Sequence, residues 1–190
     1  ADGGAGLDAE TEGKIDAVVE QVLAEKQVPG GALAIVKDGA VVYAKGFGVS
    51  DLESEQPMTP DSVFLMASVA KSFTGMAILQ LVAEGKIDLD APVTDYLPDF
   101  ALDDPAATAI TIRQLLSHSS GMADYGDWMA DITDPDQRTD DAVLADYVHS
   151  FGDGALLFPP GTAWSYSNSG FDALGAVVAA VSGQTFEEYV

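Results

Sequence analysis

The sequence predicts an α+β protein from three observations: an amphipathic helix, one β-hairpin after it, and then a block of helical patterns with little further strand signal. The first helix is read from Ile15, Val18, Val19, Val22 and Leu23, which recur at helical spacing from about Asp8 until "VPGG" at 28–31 stops them. The hairpin is read from "ALAIVKDGAVVYAKGFG", two β-rich runs around Asp38-Gly39. Pro57 and Pro60 then mark a loop. Helical patterns follow over Ser68–Glu84 with Gly85 at its end, Thr111–Leu116, Asp141–Ser150 and Gly170–Ser182. Two or three strands are few for a sheet. No internal repeat or low-complexity linker divides the chain. Residues 1–60 (helix and hairpin) and 61–190 (the helical part) are therefore read as parts of one domain.

Composition narrows the function classes. With 190 residues and 47% apolar content the chain can bury an ordinary core. Its 31 acidic residues against 8 basic ones leave a formal charge of -23, which repels nucleic acid and anionic membranes. An acidic, lysine-poor surface over a normal core fits a high-salt (halophilic) origin, where screening relieves self-repulsion; the alternative is simply an acidic, soluble protein. The absence of cysteine removes disulfides, thiolate zinc sites and cysteine nucleophiles, and leaves the redox compartment open. No apolar run reaches the length of a membrane span. The opening "ADGGAG" carries no initiator Met and no signal peptide is present, so export of a mature form is preferred over a cytoplasmic location only as an expectation. At the other end, "GQTFEEYV" holds a capping box, Thr185 with Glu188. Only two residues follow Glu188, so the helix it announces is expected to have no room to form, and the chain is expected to be cut from a longer one.

The chemistry is concentrated in two short motifs. Ser68 and Lys71 stand three residues apart in "FLMASVAKSFTGMAILQLVAEG", so one helical face can bring hydroxyl and amine together. A serine hydroxyl is a poor nucleophile until a base takes its proton, and a lysine serves if its surroundings lower its pKa. With 13 Ser and 6 Lys in the chain, roughly 0.4 chance matches to S-x-x-K are expected. Alone, it is outweighed by an ordinary serine and a snorkelling lysine. The second motif is Tyr166-Ser167-Asn168 in "FPPGTAWSYSNSGF", where an extended segment projects phenol and amide to one side. Asn168 is the only asparagine, so chance gives Y-x-N only roughly 0.03 times. The competing explanation, an aromatic loop around Pro159 and Pro160, weakens once both motifs are taken together.

With these residues the chain resembles the serine β-lactamase and penicillin-binding-protein superfamily, in its class C β-lactamase, DD-peptidase and family VIII esterase branch. The resemblance runs in order through "GGALAIVKDGAVVYAKGFGVSD", "FLMASVAKSFTGMAILQLVAEGKIDLDAPVTDYLP", "ITIRQLLSHSSGM" and "PGTAWSYSNSGFDALGAVVAAVSG". It implies a β-lactamase/transpeptidase-like α+β fold, an antiparallel sheet flanked by helices plus a mostly helical subdomain, here truncated before the closing strands. It implies Ser68 as acylated nucleophile, Lys71 and Tyr166 as the proton-transfer pair, and Asn168 as a substrate-orienting amide. A phenol with an ordinary pKa of about 10 acts as base only when a cation stabilises its anion, and Lys71 is the candidate cation. The Ser68 backbone N–H would be half of an oxyanion hole. The expected reaction is hydrolysis of a small-molecule or peptide amide or ester, a β-lactam, D-amino peptide or carboxylic ester, without metal or organic cofactor. The alternative is a catalytically silent binding or scaffold domain of the same fold. The family's third motif, K-T-G or H-x-G on a strand, is missing, and HSSG at 118–121 falls among the helices. A C-terminal segment or a second chain is therefore expected to complete the site.

Other constellations carry less. There is no G-x-S-x-G nucleophile elbow. His118 and His149, 31 residues apart, lack metal-ligand spacing and are read as structural or solvated. "DPDQRTDD" at 134–141 has Thr139 where a calcium loop needs glycine, and Arg138 opposes a cation, so it reads as a solvated helix entry. Trp164 and Tyr125 suit either a cleft lining or core packing.

Overall fold

The structure is a computed structural model of the chain, and it describes residues 6–124 and 155–190. The helical pattern at Asp141–Ser150, His149, Tyr125 and the 134–141 segment lie outside the described residues. The chain divides into two compact units, residues 1–65 and 66–190.

In the first unit, helix α1 spans Ala9–Lys26, begun by Asp8, whose carboxylate accepts the Thr11 backbone N–H at 2.8 Å. It ends at Gln27, whose φ of 55° is left-handed. The hairpin follows as β1, Gly30–Lys37, and β2, Ala40–Gly48, paired antiparallel. Asp38 and Gly39 both have positive φ, 52° and 77°, as a two-residue turn that matches strand twist requires. A bulge interrupts the ladder between Ile35 and Val36. The predicted apolar stripe of α1 is only partly covered. Ile15, Val19 and Leu23 are half-buried, but Val18 and Val22 are exposed. A polar tie also links helix and hairpin: Asp16 accepts from the Tyr43 hydroxyl and pairs with the Lys45 ammonium at 2.6 Å. Lys45 and Tyr43 hold the Asp16 carboxyl below its usual value. Desolvation, with Asp16 next, pushes the Tyr43 phenol up to about 12.

The second unit opens with a 3-10 turn, Ala67–Ala70, that runs directly into α2, Lys71–Ala83. Gly85, with φ of 71°, follows its end. Helix α3 spans Ile112–Leu116, where Thr111 and Gln114 form a complete capping box. Helix α4 spans Asn168–Ser182 and begins two residues earlier than its apolar pattern suggests, because Ser167 caps it through the Gly170 N–H at 3.0 Å. Its end is closed by left-handed Gly183. The core of this unit joins α2, α3 and α4 through Ile78, Leu81, Ile112, Leu115, Leu174, Val177 and Val178, with Val93 and Ile110 from the connecting segment. Each such side chain contributes about 1.5–3 kcal/mol by leaving water.

One expectation is corrected here. The capping box at Thr185 does start a helix: α5, Phe186–Tyr189, forms one turn with both reciprocal bonds in place. The cap satisfies the first N–H groups, and Phe186 and Tyr189 pack against the core, so tertiary contact replaces the length that an isolated helix needs. Among the described residues the sheet has two strands, at the low end of the two or three expected. No helix among them is long and apolar enough to cross a membrane.

Candidate active site

Four sequence-selected residues meet in the second unit. Ser68 lies in the 3-10 turn and is exposed, while Lys71 is the first residue of α2. The residue before Ser68, Ala67, has φ of 47°, a left-handed conformation that residues with a Cβ adopt at a cost. Tyr166 is on the extended approach to α4, and Asn168 is the first residue of that helix.

The loop after α3 aligns this approach. The Ser165 N–H donates to the His118 carbonyl at 3.0 Å, and the Gly161 N–H to that of Ser119 at 2.8 Å. Gly121, with φ of 84°, is required as glycine: a Cβ there would stand 2.2 Å from the Phe158 carbonyl oxygen. The loop thereby holds two segments distant in sequence in one register.

Side-chain geometry completes the site. The Tyr166 hydroxyl donates to Ser68 Oγ at 2.7 Å. Lys71 Nζ donates to Asn168 Oδ1 at 2.6 Å and stands 5.1 Å from the centre of the Tyr166 ring and 5.6 Å from that of Phe171. The helical spacing of Ser68 and Lys71 had suggested a direct bond between them. Among the described residues the lysine instead bonds Asn168, and the serine bonds the phenol. Lys71, and then the Ser68 hydroxyl, hold the Tyr166 phenol below its ordinary value of 10.0, against desolvation and the Asp124 charge. Such a phenol releases its proton more readily than a free tyrosine, and the 2.7 Å contact can then reverse, with the serine donating.

Three neighbours were not singled out for this role by sequence. His118, itself at a positive φ of 56°, accepts the Ser167 N–H on Nδ1 at 3.2 Å. Its ring lies 4.5 Å from that of Tyr166 and 5.1 Å from that of Phe171. Burial, then Lys71, push its imidazolium below 6.5, and because Nδ1 is the acceptor, the neutral ring carries its proton on Nε2. Phe171 stands three residues after Asn168 on one face of α4, a spacing visible in "NSGF". Asp124 accepts the Asn168 backbone N–H at 3.0 Å and its side-chain Nδ2 at 3.2 Å. Nothing in the sequence separates Asp124 from the other 21 aspartates. Trp164 meets His118 edge-on and is exposed. Among the described residues no cluster of His, Cys, Asp or Glu could hold a metal.

Comparison with known proteins bears on the family and the fold of the chain. Esterase EstB of Burkholderia gladioli is 36% identical over 182 residues, which are 90% of this chain and 45% of EstB. The structure of the octameric penicillin-binding protein homologue from Pyrococcus abyssi superposes with a TM-score of 0.78 at 35% identity, over 93% of this chain and 40% of that one. That of EstCE1, described as a hydrolase with promiscuous acyltransferase activity, gives 0.79 at 27% identity, over 94% and 49%. The chain thus spans less than half the length of each of these proteins. The family profile described as Beta-lactamase matches residues 15–190. A match of that extent, over both motifs and the helices that carry them, means that the chain belongs to the Beta-lactamase family.

Proposed function

We propose that this chain carries the nucleophile and proton-transfer groups of an acyl-serine hydrolase. The observation that carries the proposal is the 2.7 Å contact of Ser68 Oγ with a Tyr166 phenol whose ring lies 5.1 Å from the Lys71 ammonium. The Ser68 proton passes to the Tyr166 oxygen as Oγ forms a bond to the carbonyl carbon of an amide or ester. The tetrahedral adduct collapses by breaking the C–N or C–O bond, and Tyr166 returns the proton to the leaving group. Water then attacks the acyl-serine by the same route and regenerates Ser68. Lys71 keeps the phenolate accessible, and Asn168 holds Lys71 in place while lying close enough to orient a substrate. The Ser68 N–H, in the first turn leading into α2, supplies one oxyanion donor. The chain has neither a K-T-G nor an H-x-G motif, and the second donor is assigned to a C-terminal segment or a second chain. The name of esterase EstB favours a carboxylic ester as substrate over a β-lactam or D-amino peptide.

The test is covalent labelling of the natural full-length protein with a fluorophosphonate, and hydrolysis of a p-nitrophenyl ester with nitrocefin alongside. Labelling at Ser68 that Ser68→Ala abolishes, with an unchanged melting curve, is the expected result. Labelling elsewhere, or none in a folded protein, overturns it in favour of a silent binding domain.

A further inference from the structure

We propose that Asp124 is a positioning residue whose carboxylate locks the Asn168 amide with its carbonyl toward Lys71, so that Asp124 places the Lys71 ammonium without touching substrate. The inference rests on the acyl-serine reading above. Its observations are geometric. One carboxylate takes both donors of one residue, the Asn168 backbone N–H at 3.0 Å on Oδ1 and Nδ2 at 3.2 Å on Oδ2. A side-chain amide has one acceptor end and one donor end. Fixing Nδ2 on Asp124 therefore turns Oδ1 the other way, where it takes Lys71 Nζ at 2.6 Å. Without the carboxylate the amide is free to flip, and its NH2 end would then face an ammonium and repel it. The lysine would lose the Asn168 acceptor that helps hold it beside the Tyr166 ring.

The substitution that isolates this role is Asp124→Asn, because the retained oxygen still accepts the backbone N–H while the new NH2 cannot accept from Asn168 Nδ2. Charge and position have opposite signs at Tyr166, which is faced by Lys71, Ser68, His118 and Asp124. Asp124 as a bare charge raises the Tyr166 pKa, so neutralising it would lower that pKa. Lys71 is the largest influence lowering it, so releasing the lysine would raise it. Positioning predicts the second outcome.

In the natural full-length protein, single-turnover acylation by a p-nitrophenyl ester is expected to slow about 10-fold in Asp124→Asn. The limb of its pH profile on which activity rises with pH, set by Tyr166, is expected to move upward. The double variant Asp124→Asn/Asn168→Ala is expected to be no slower than Asn168→Ala, the signature of one residue acting through the other. Asp124→Glu, which keeps the acceptor but displaces it, is expected to be intermediate and serves if Asp124→Asn does not fold. Wild-type acylation, a limb that moves down, or effects of the two substitutions that multiply would overturn the proposal. An activity-independent readout separates its failure from that of the proposed reaction. With 15N-asparagine label, the Asn168 side-chain NH2, identified by its loss in Asn168→Ala, should exchange with water faster in Asp124→Asn. Unchanged exchange sinks the Asp124 role even if Ser68 acylates. Faster exchange in a protein that does not acylate supports the Asp124 lock and overturns only the reaction.

Discussion

The two units hold themselves together by different means. In residues 66–190 a continuous core of fully buried aliphatic side chains joins three helices. In residues 1–65 the helix buries no residue completely, the hairpin buries Val42, Tyr43 and Phe47, and Asp16 binds the helix to β2 through Tyr43 and Lys45. Apolar packing thus dominates one unit, whereas polar contact supplements thin packing in the other. The proposed chemistry sits in the first kind of surroundings. A site that needs its side chains fixed to within tenths of an ångström is better supported by jammed aliphatic helices than by a half-buried carboxylate bridge.

Truncation should break the comparison most visibly. Leu174→Ala opens a cavity in the fully buried part of the helical unit and is expected to cost about 2–5 kcal/mol, whereas Val18→Ala, on the 61% exposed side of α1, should change stability by no more than about 0.5 kcal/mol. Chemical denaturation measures both, and equal losses would erase the distinction. Next in size are the site variants. Lys71→Ala and Tyr166→Phe should each slow acylation by about 10²-fold with melting curves close to wild type. Because Lys71 and Ser68 lower the Tyr166 pKa from 10.0, the activity that requires the phenolate should develop below pH 10 as pH rises, and Lys71→Ala should shift that limb upward. Stopped-flow acylation across pH decides it. Normal acylation by both variants would remove Lys71 and Tyr166 from the mechanism.

Salt should sharpen the contrast more gently. With 31 acidic residues against 8 basic ones, the melting temperature should rise from low to molar salt, as the screening length falls from about 30 Å at 0.01 M to about 3 Å at 1 M. The pairing of Asp16 with Lys45 should weaken at the same time, so the helix–hairpin unit should gain less than the helical unit, as amide hydrogen exchange would show. A flat melting curve would refute the high-salt origin. The smallest effect is expected at His118. Its folded pKa lies below 6.5, so its contribution to stability is complete above pH 6.5 and is lost as pH falls from 6.5 through the folded value. Protonated Nδ1 can no longer accept the Ser167 N–H. His118→Gln should flatten this part of the pH–stability curve, and an unchanged slope would deny the linkage.

What could be read from sequence follows the range of the interactions concerned. Local signals were sufficient for α1, the Asp38-Gly39 hairpin and α3, and for the bodies of α2 and α4 though not their first residues, because caps, turns and periodicity act over a few residues. The single asparagine made Tyr166 and Asn168 conspicuous, and the structure brings both to Ser68 and Lys71 from nearly 100 positions away. Asp124 and His118 were not legible as neighbours of the site. Their place depends on a loop folded back by Gly121 against Phe158, and no spacing encodes that contact. The one-turn helix at Phe186 was misjudged for the related reason that its stability comes from α4 and the core. The stripe on α1 was legible as a pattern, but periodicity records a preference for burial and not whether a partner surface covers it.

The left-handed backbone at Ala67 restricts what sequence variation can do beside Ser68. A β-branched replacement there would carry the conformational penalty of about 1–2 kcal/mol for left-handed backbone together with crowding at Cβ. Glycine would remove the Cβ clash but widen the denatured ensemble. In a saturation library at position 67, survivors should therefore be concentrated in alanine, glycine, asparagine and aspartate, with valine, isoleucine and threonine depleted. For directed evolution, this codon is a narrow corridor next to the residue that performs the chemistry, and diversity is better spent on Trp164, whose exposed ring can change without altering the backbone.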